Sequence, residues 1–133
     1  MPTLNPAERQ LRNLLRIWTG LFGLGALLFF VRPSLVTDLL HLPANAERFW
    51  NSLAVSMMAT VTYLAYEAQK DVQRSRRLIR ALLVAKAAST VAFTFALWTD
   101  GLRLGYLAAG LGCDGPIFIV TALMYRKVFR KGT

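Results

Sequence analysis

Asp114 and Lys86 are ionisable side chains set deep inside apolar runs of this 133-residue chain. A charged group in hydrocarbon costs roughly 2.5 to 3.5 kcal/mol even on insertion scales, so an intramembrane acid normally faces protein or water and has a partner. Lys86 is the obvious partner for Asp114. Two kinds of chemistry are open to such a pair: a neutralised contact that fixes the register of two helices, or a site that binds or moves a small molecule, quinone, ion or proton. A second polar array lies upstream. Ser52, Ser56, Thr60, Tyr63 and Glu67 recur at intervals of four, four, three and four residues, which puts them within a narrow arc of one helix. This pattern predicts a protein-facing stripe, with Ala54, Met57, Met58, Val61 and Ala65 turned to lipid. The stripe either lines a hydrophilic route or bonds to backbone carbonyls and neighbouring helices. Thr90 and Phe93 continue the face of Lys86 on the following helix.

The elements that must position these residues follow from hydropathy. A 55 % hydrophobic composition and a mean hydropathy of +0.41 are too apolar for an ordinary soluble domain of this length. Four apolar segments, residues 13–31, 49–66, 79–99 and 104–125, each approach the ~20 residues a helix needs to cross a membrane. The expected fold is all-α: one integral membrane domain over residues 1–133, a four-transmembrane-helix bundle with short joins. Asn5 and Pro6 read as a helix cap and first turn, so a cytoplasmic helix runs straight into the first span.

Charge sets the orientation. Arg9, Arg12 and Arg16 flank the first span; Lys70, Arg74, Arg76, Arg77 and Arg80 lie around the middle loop; and Arg126, Lys127, Arg130 and Lys131 close the chain. The other two loops hold only Arg32, Arg48 and Arg103, so the positive-inside rule places both termini and the middle loop in the cytoplasm. The net charge of +9 is therefore juxtamembrane, meeting anionic lipid headgroups rather than nucleic acid.

The first extracytoplasmic loop has its own signature. Residues 33–43 are bracketed by Pro33 and Pro43 and are rich in leucine, which predicts a short amphipathic helix on the membrane surface. His41 stands near Asp38 in it, as a hydrogen-bonded pair or as two metal ligands, fewer than a metal site needs. The Ala44-Asn45-Ala46 match to a cleavage site lies well beyond the first span, which is expected to stay as an anchor. A lone cysteine, Cys113, rules out an intrachain disulfide and a CxxC centre. No nucleophile, base and orienter arrangement is legible, so catalysis is not expected.

Small residues mark where helices approach. Thr19, Gly23 and Ala26, with Gly20 beside them, form a candidate packing face on the first span. Gly110 and Gly112 do the same on the fourth, where Gly112, Gly115 and Pro116 loosen the helix and predict a kink. Lys86 lies ~12 Å and Asp114 ~16 Å above the cytoplasmic boundary at a helical rise of 1.5 Å per residue, close enough for a lysine stem to bridge. Phe49, Trp50, Trp98 and Tyr106 suggest an outer aromatic belt, and Tyr66 and Tyr125 an inner one.

Among four-span families, small multidrug transporters carry a glutamate in the first span, and vitamin K epoxide reductase-like proteins need paired cysteines; neither feature is here. The sequence resembles the DoxX-like superfamily of small bacterial four-helix membrane proteins in its glycine-rich first span (Gly20, Gly23, Gly25), its proline-led loop helix (Pro33 to Leu42), the Phe49-Trp50 start of its second span and Asp114 in its fourth. The resemblance implies a non-catalytic accessory or structural subunit of an inner-membrane complex, near quinone; no cofactor is expected beyond a quinone or lipid, and because four short spans bury limited helix surface, a homo-oligomer or membership of a larger membrane complex is expected. The alternative is binding or transport of a small molecule, quinone, ion or proton around Lys86 and Asp114.

Overall fold

A computed structural model describes residues 3–39, 48–101 and 104–130. The chain is all-helical, with no strand among the described residues. The helices are α1 (Pro6–Val31), α2 (Pro33–Leu39), α3 (Arg48–Lys70), α4 (Arg76–Asp100), the single turn α5 (Leu104–Tyr106), a π-helix (Leu107–Asp114) and α6 (Gly115–Phe129).

Local chemistry explains the boundaries. The Asn5 side-chain oxygen accepts from the Ala7 amide at 3.4 Å, with Pro6 in the first turn and Glu8 beside the positive end of the helix dipole. The expected continuous helix into the first span is thus present, starting at Pro6 as its cap predicts. Pro33 disfavours a helical conformation for Arg32, so α1 ends there and α2 begins on the proline. α2 is seven residues long and buries none of them. The remainder of the expected surface helix, His41 included, lies outside the described residues. Between α3 and α4, Asp71 accepts from the Arg74 amide through its side chain (3.1 Å) and from the Ser75 amide through its carbonyl (3.0 Å). That turn is not wholly solvated as its basic sequence suggests, because Val72 and Ser75 are buried.

Among the described residues, three helices are long and apolar enough to cross a membrane: Pro6–Val31, Arg76–Asp100 and Leu107–Phe129. Their outward surfaces fit that reading. Ile17, Leu24, Phe30, Val84, Val91, Phe95, Trp98 and Ile119 are all exposed, which puts large apolar side chains on the outside, as a lipid-facing surface requires. These features mark a membrane protein. α3 is the polar exception, interrupted by Ser52, Ser56, Thr60, Thr62 and Glu67.

α1 packs along α3 and also meets α6, while α4 meets α3, the π-helix and α6. The buried stripe of α1 is Leu11, Leu15, Trp18, Phe22 and Ala26, at spacings of four, three, four and four. Ala65 and Ala68 of α3, Val72, and Ile79 and Leu82 of α4 complete the core. A Gln73 to Glu8 hydrogen bond and an Arg76 to Tyr125 hydrogen bond (3.2 Å) bring the start of α1, the α3–α4 turn and the end of α6 to one end of the bundle. The core is dense at that basic end. Beyond Lys86, no residue of α4 is buried.

Candidate functional site

The site is assembled by α1, α4 and the π-helix. Lys86 is the last buried residue along α4, and Asp114 closes the π-helix, so the two stand where the dense core gives way. The Lys86 Nζ donates to Asp114 Oδ1 at 3.1 Å, and their side chains are only 9 % and 8 % exposed. The Ser89 hydroxyl donates to the other carboxylate oxygen, Oδ2. Both oxygens are therefore engaged, as a buried carboxylate requires.

Aromatic rings from α1 close the other side. The Lys86 ammonium sits 3.6 Å from the centroid of the Phe22 ring and 5.7 Å from that of Trp18, which meets Phe22 edge-on at 5.6 Å. A cation over a ring face in a dry site gains about 2 kcal/mol. Trp18 is itself held by its indole Nε1–H, which donates to Thr121 Oγ1 on α6 at 3.1 Å. Phe22, Trp18 and Ser89 thus complete the Lys86–Asp114 contact. The signal for the two rings is their spacing on α1, which repeats through Leu11, Leu15, Trp18, Phe22 and Ala26.

The π-helix is what delivers Asp114. Pro116 has no amide hydrogen and its ring clashes with the carbonyl four residues back, so an α-helical ladder cannot continue through it. The ladder widens instead: the Gly115 amide bonds to the Gly110 carbonyl, five residues back. The loosening expected around Pro116 takes this form, over Leu107–Asp114. Space for a side chain is tight at Gly115 and lacking at Gly110. A β-carbon on Gly115 would stand 3.1 Å from the Gly110 carbonyl oxygen, and one on Gly110 would stand 2.7 Å from the Phe93 β-carbon on α4.

The other sequence-predicted residues are distributed as follows. Thr90 is half-buried next to the site, and its hydroxyl donates to the Lys86 carbonyl at 2.8 Å. Ser52, Ser56, Thr60 and Tyr63 are exposed on the outside of α3, away from Lys86 and Asp114. Glu67 is half-buried and bonds to Lys70 at 2.6 Å. The stripe was expected to face the bundle; it is the opposite arc, Ala54, Met58, Val61, Ala65 and Ala68, that does so. The physical reason is size. α1 approaches α3 closely, and alanines allow that approach, whereas the hydroxyls can satisfy themselves locally, as Thr60 does by donating to the Ser56 carbonyl at 2.9 Å.

Of the candidate packing residues, Ala26 is buried, and Gly23 faces Thr62 closely enough that an added β-carbon would stand 3.2 Å from its methyl. Thr19 is half-buried and bonds back to the Leu15 carbonyl at 2.9 Å. Gly20 faces open space, and Gly112 is exposed with only the Leu107 carbonyl of its own helix nearby. Gly110 is buried against Phe93. The side chains of Phe49 and Trp50 lie outside the described residues; Trp98 and Tyr66 are exposed, and Tyr106 and Tyr125 half-buried.

Grooves among the described residues lie elsewhere. One, of about 460 Å³, runs along the outside of α4 past Thr90, Val91, Thr94, Phe95 and Trp98. The other, of about 620 Å³, is at the basic end, lined by Ala7, Leu123, Arg126, Lys127 and Arg130. Among the described residues there is no cluster of three His, Cys, Asp or Glu side chains that could hold a metal. No protein-family model, curated protein or solved structure matches the chain.

Proposed function

We propose that the chain is a non-catalytic accessory or structural subunit of a bacterial inner-membrane complex, DoxX-like in type, that crosses the membrane four times with both termini in the cytoplasm. Four crossings are supported by α3 lying along α1 and matching it in scale, at ~34 Å for 23 residues. The orientation is supported by the gathering of the start of α1, the α3–α4 turn and the end of α6 at one basic end.

One observation carries the structural role. Lys86 and Asp114 are satisfied by one another, by Ser89 and by Phe22, and neither lines either groove. A pair with no open coordination is suited to holding α1, α4 and the π-helix in register rather than to releasing and rebinding a ligand. Purification from the native membrane in mild detergent tests this. Stoichiometric protein partners are the expected result. A chain that came alone, carrying bound quinone or lipid, would refute it.

A second reading, quinone or ion binding at the same pair, is favoured by the π-helix, a geometry that recurs at functional sites, and by the α4 groove that reaches Thr90 one turn from Lys86. In that case Asp114→Asn abolishes binding while leaving the fold intact.

A further inference from the structure

The groove of about 620 Å³ at the basic end is bounded by two helices that bring different things to it. α1 contributes Ala7, whose small side chain leaves the space open, and α6 contributes Leu123, Arg126, Lys127 and Arg130. Positions 126, 127 and 130 follow 123 by three, four and seven residues, so the four side chains share one face of α6, with Arg130 ~10 Å along the axis from Leu123. The face is graded. Leu123 is 51 % exposed and lies toward the middle of the Leu107–Phe129 span, whereas the three cations lie at its end. Among the described residues no acid lines the groove; Glu8, next to Ala7 in sequence, is hydrogen-bonded to Gln73 of the α3–α4 turn. Arg126 and Lys127 form no ion pair among the described residues. They more than offset the dipole of α6, which amounts to about half an elementary charge at a helix C-terminus, and the surplus is positive.

We propose that this groove holds one anionic phospholipid, with its phosphate on Arg126, Lys127 and Arg130 and an acyl chain along Leu123. Charge complementarity and the grading of the face select that occupant. A phosphate takes paired hydrogen bonds from a guanidinium and a point-charge contact from a lysine. A soluble phosphate would answer the cations and leave Leu123 uncovered, whereas a lipid covers both at once. A zwitterionic lipid brings an ammonium group that three neighbouring cations repel. The end of a spanning helix is also the depth at which headgroups lie. The inference rests on the chain being a membrane protein and not on its having protein partners, so its failure leaves the accessory-subunit reading standing. It goes beyond the general attraction of basic flanks to a membrane surface, because it assigns one site and one occupant.

Lipid rebinding to the full chain tests the site. The protein is purified in mild detergent, stripped of lipid and titrated with phosphatidylglycerol or phosphatidylcholine, and retained lipid is counted by native mass spectrometry. One phosphatidylglycerol per chain is expected to be kept in preference to phosphatidylcholine. Arg126→Gln combined with Lys127→Gln is expected to weaken that binding by about thirty-fold, the effect of two basic residues at an anionic surface. Arg77→Gln combined with Arg80→Gln removes the same charge from exposed positions around the α3–α4 turn and should change binding little. Equal losses from the two pairs overturn the proposal, because net charge alone is then being read. Equal retention of phosphatidylcholine overturns it too. Glycerol phosphate that competes as well as the lipid identifies a soluble-phosphate site and overturns the lipid assignment. Leu123→Trp fills the groove without altering charge and is expected to expel the lipid; unchanged binding counts against the groove. All the substituted positions are exposed, and melting curves in lipid-free detergent that match the wild type establish that the variants are folded.

Discussion

The indole of Trp18 donates to the hydroxyl of Thr121 across 3.1 Å of buried space, joining residues 103 positions apart and so the first long helix to the last. The same indole is the wall against which Phe22 and the Lys86 ammonium are stacked. A single polar contact thus sets the position of the ring that shields the buried charge.

Removing either end of that contact should cost similarly. Trp18→Phe and Thr121→Val are each expected to lower stability by about 1 to 2 kcal/mol, and the double variant by little more than the worse single one, since each single leaves one buried group unmet. Thermal denaturation of the four proteins in one detergent measures the coupling.

Asp114→Asn should be harsher. It leaves the buried Lys86 ammonium facing a neutral amide oxygen and the rings of Phe22 and Trp18, with its charge no longer neutralised, a loss of about 3 to 5 kcal/mol. Replacing both, as Lys86→Met with Asp114→Leu, should recover most of it, because no charge then needs neutralising. Failure of the double variant to recover would mean that the pair does more than offset itself.

Two glycines separate by context. Gly110→Ala drives a β-carbon to within 2.7 Å of the Phe93 β-carbon, close to the α4 backbone where little can yield, and is expected to destabilise by about 1 to 3 kcal/mol. Gly20→Ala meets nothing within 4 Å and should be neutral or stabilising by up to about 1 kcal/mol. Melting curves that moved both variants in the same direction would contradict this geometry.

Lys70 provides a pH control. The hydrogen bond to Glu67 raises its pKa above the ordinary 10.5. A raised lysine contributes stability that is fully present below the ordinary value and lost only as pH climbs through the raised one. Wild-type and Lys70→Ala melting points should therefore run parallel from about pH 6 to pH 9, and being an exposed pair it should shift them little. Divergence within that window would point to another titrating group.

Much of the arrangement was legible in the sequence because membrane segments obey few rules. Hydropathy located the long helices, Asn5 and Pro6 marked where α1 starts, and matching heights along two adjacent helices brought Lys86 to Asp114. What was not legible was facing. A polar stripe and an alanine stripe on opposite sides of α3 are equally periodic, and the period says nothing about which one is inside. Close packing decides: Ala65 and Ala68 are small enough to lie against α1 and are buried, while Ser56 is exposed. The rings over Lys86 were missed for a related reason. Trp18 and Phe22 are ordinary residues of an apolar span until a cation from another helix arrives beside them.

The buried charge also imposes an order on biosynthesis. Lys86 emerges from the ribosome 28 residues before the aspartate that neutralises it, and both rings that shelter it have emerged earlier still. α4 thus reaches the bilayer carrying an ammonium with half of its coordination, and it cannot settle until the final helix follows. A nascent chain halted before Asp114 exposes an orphan cation, the kind of mark by which membrane quality control distinguishes an unfinished protein from a finished one.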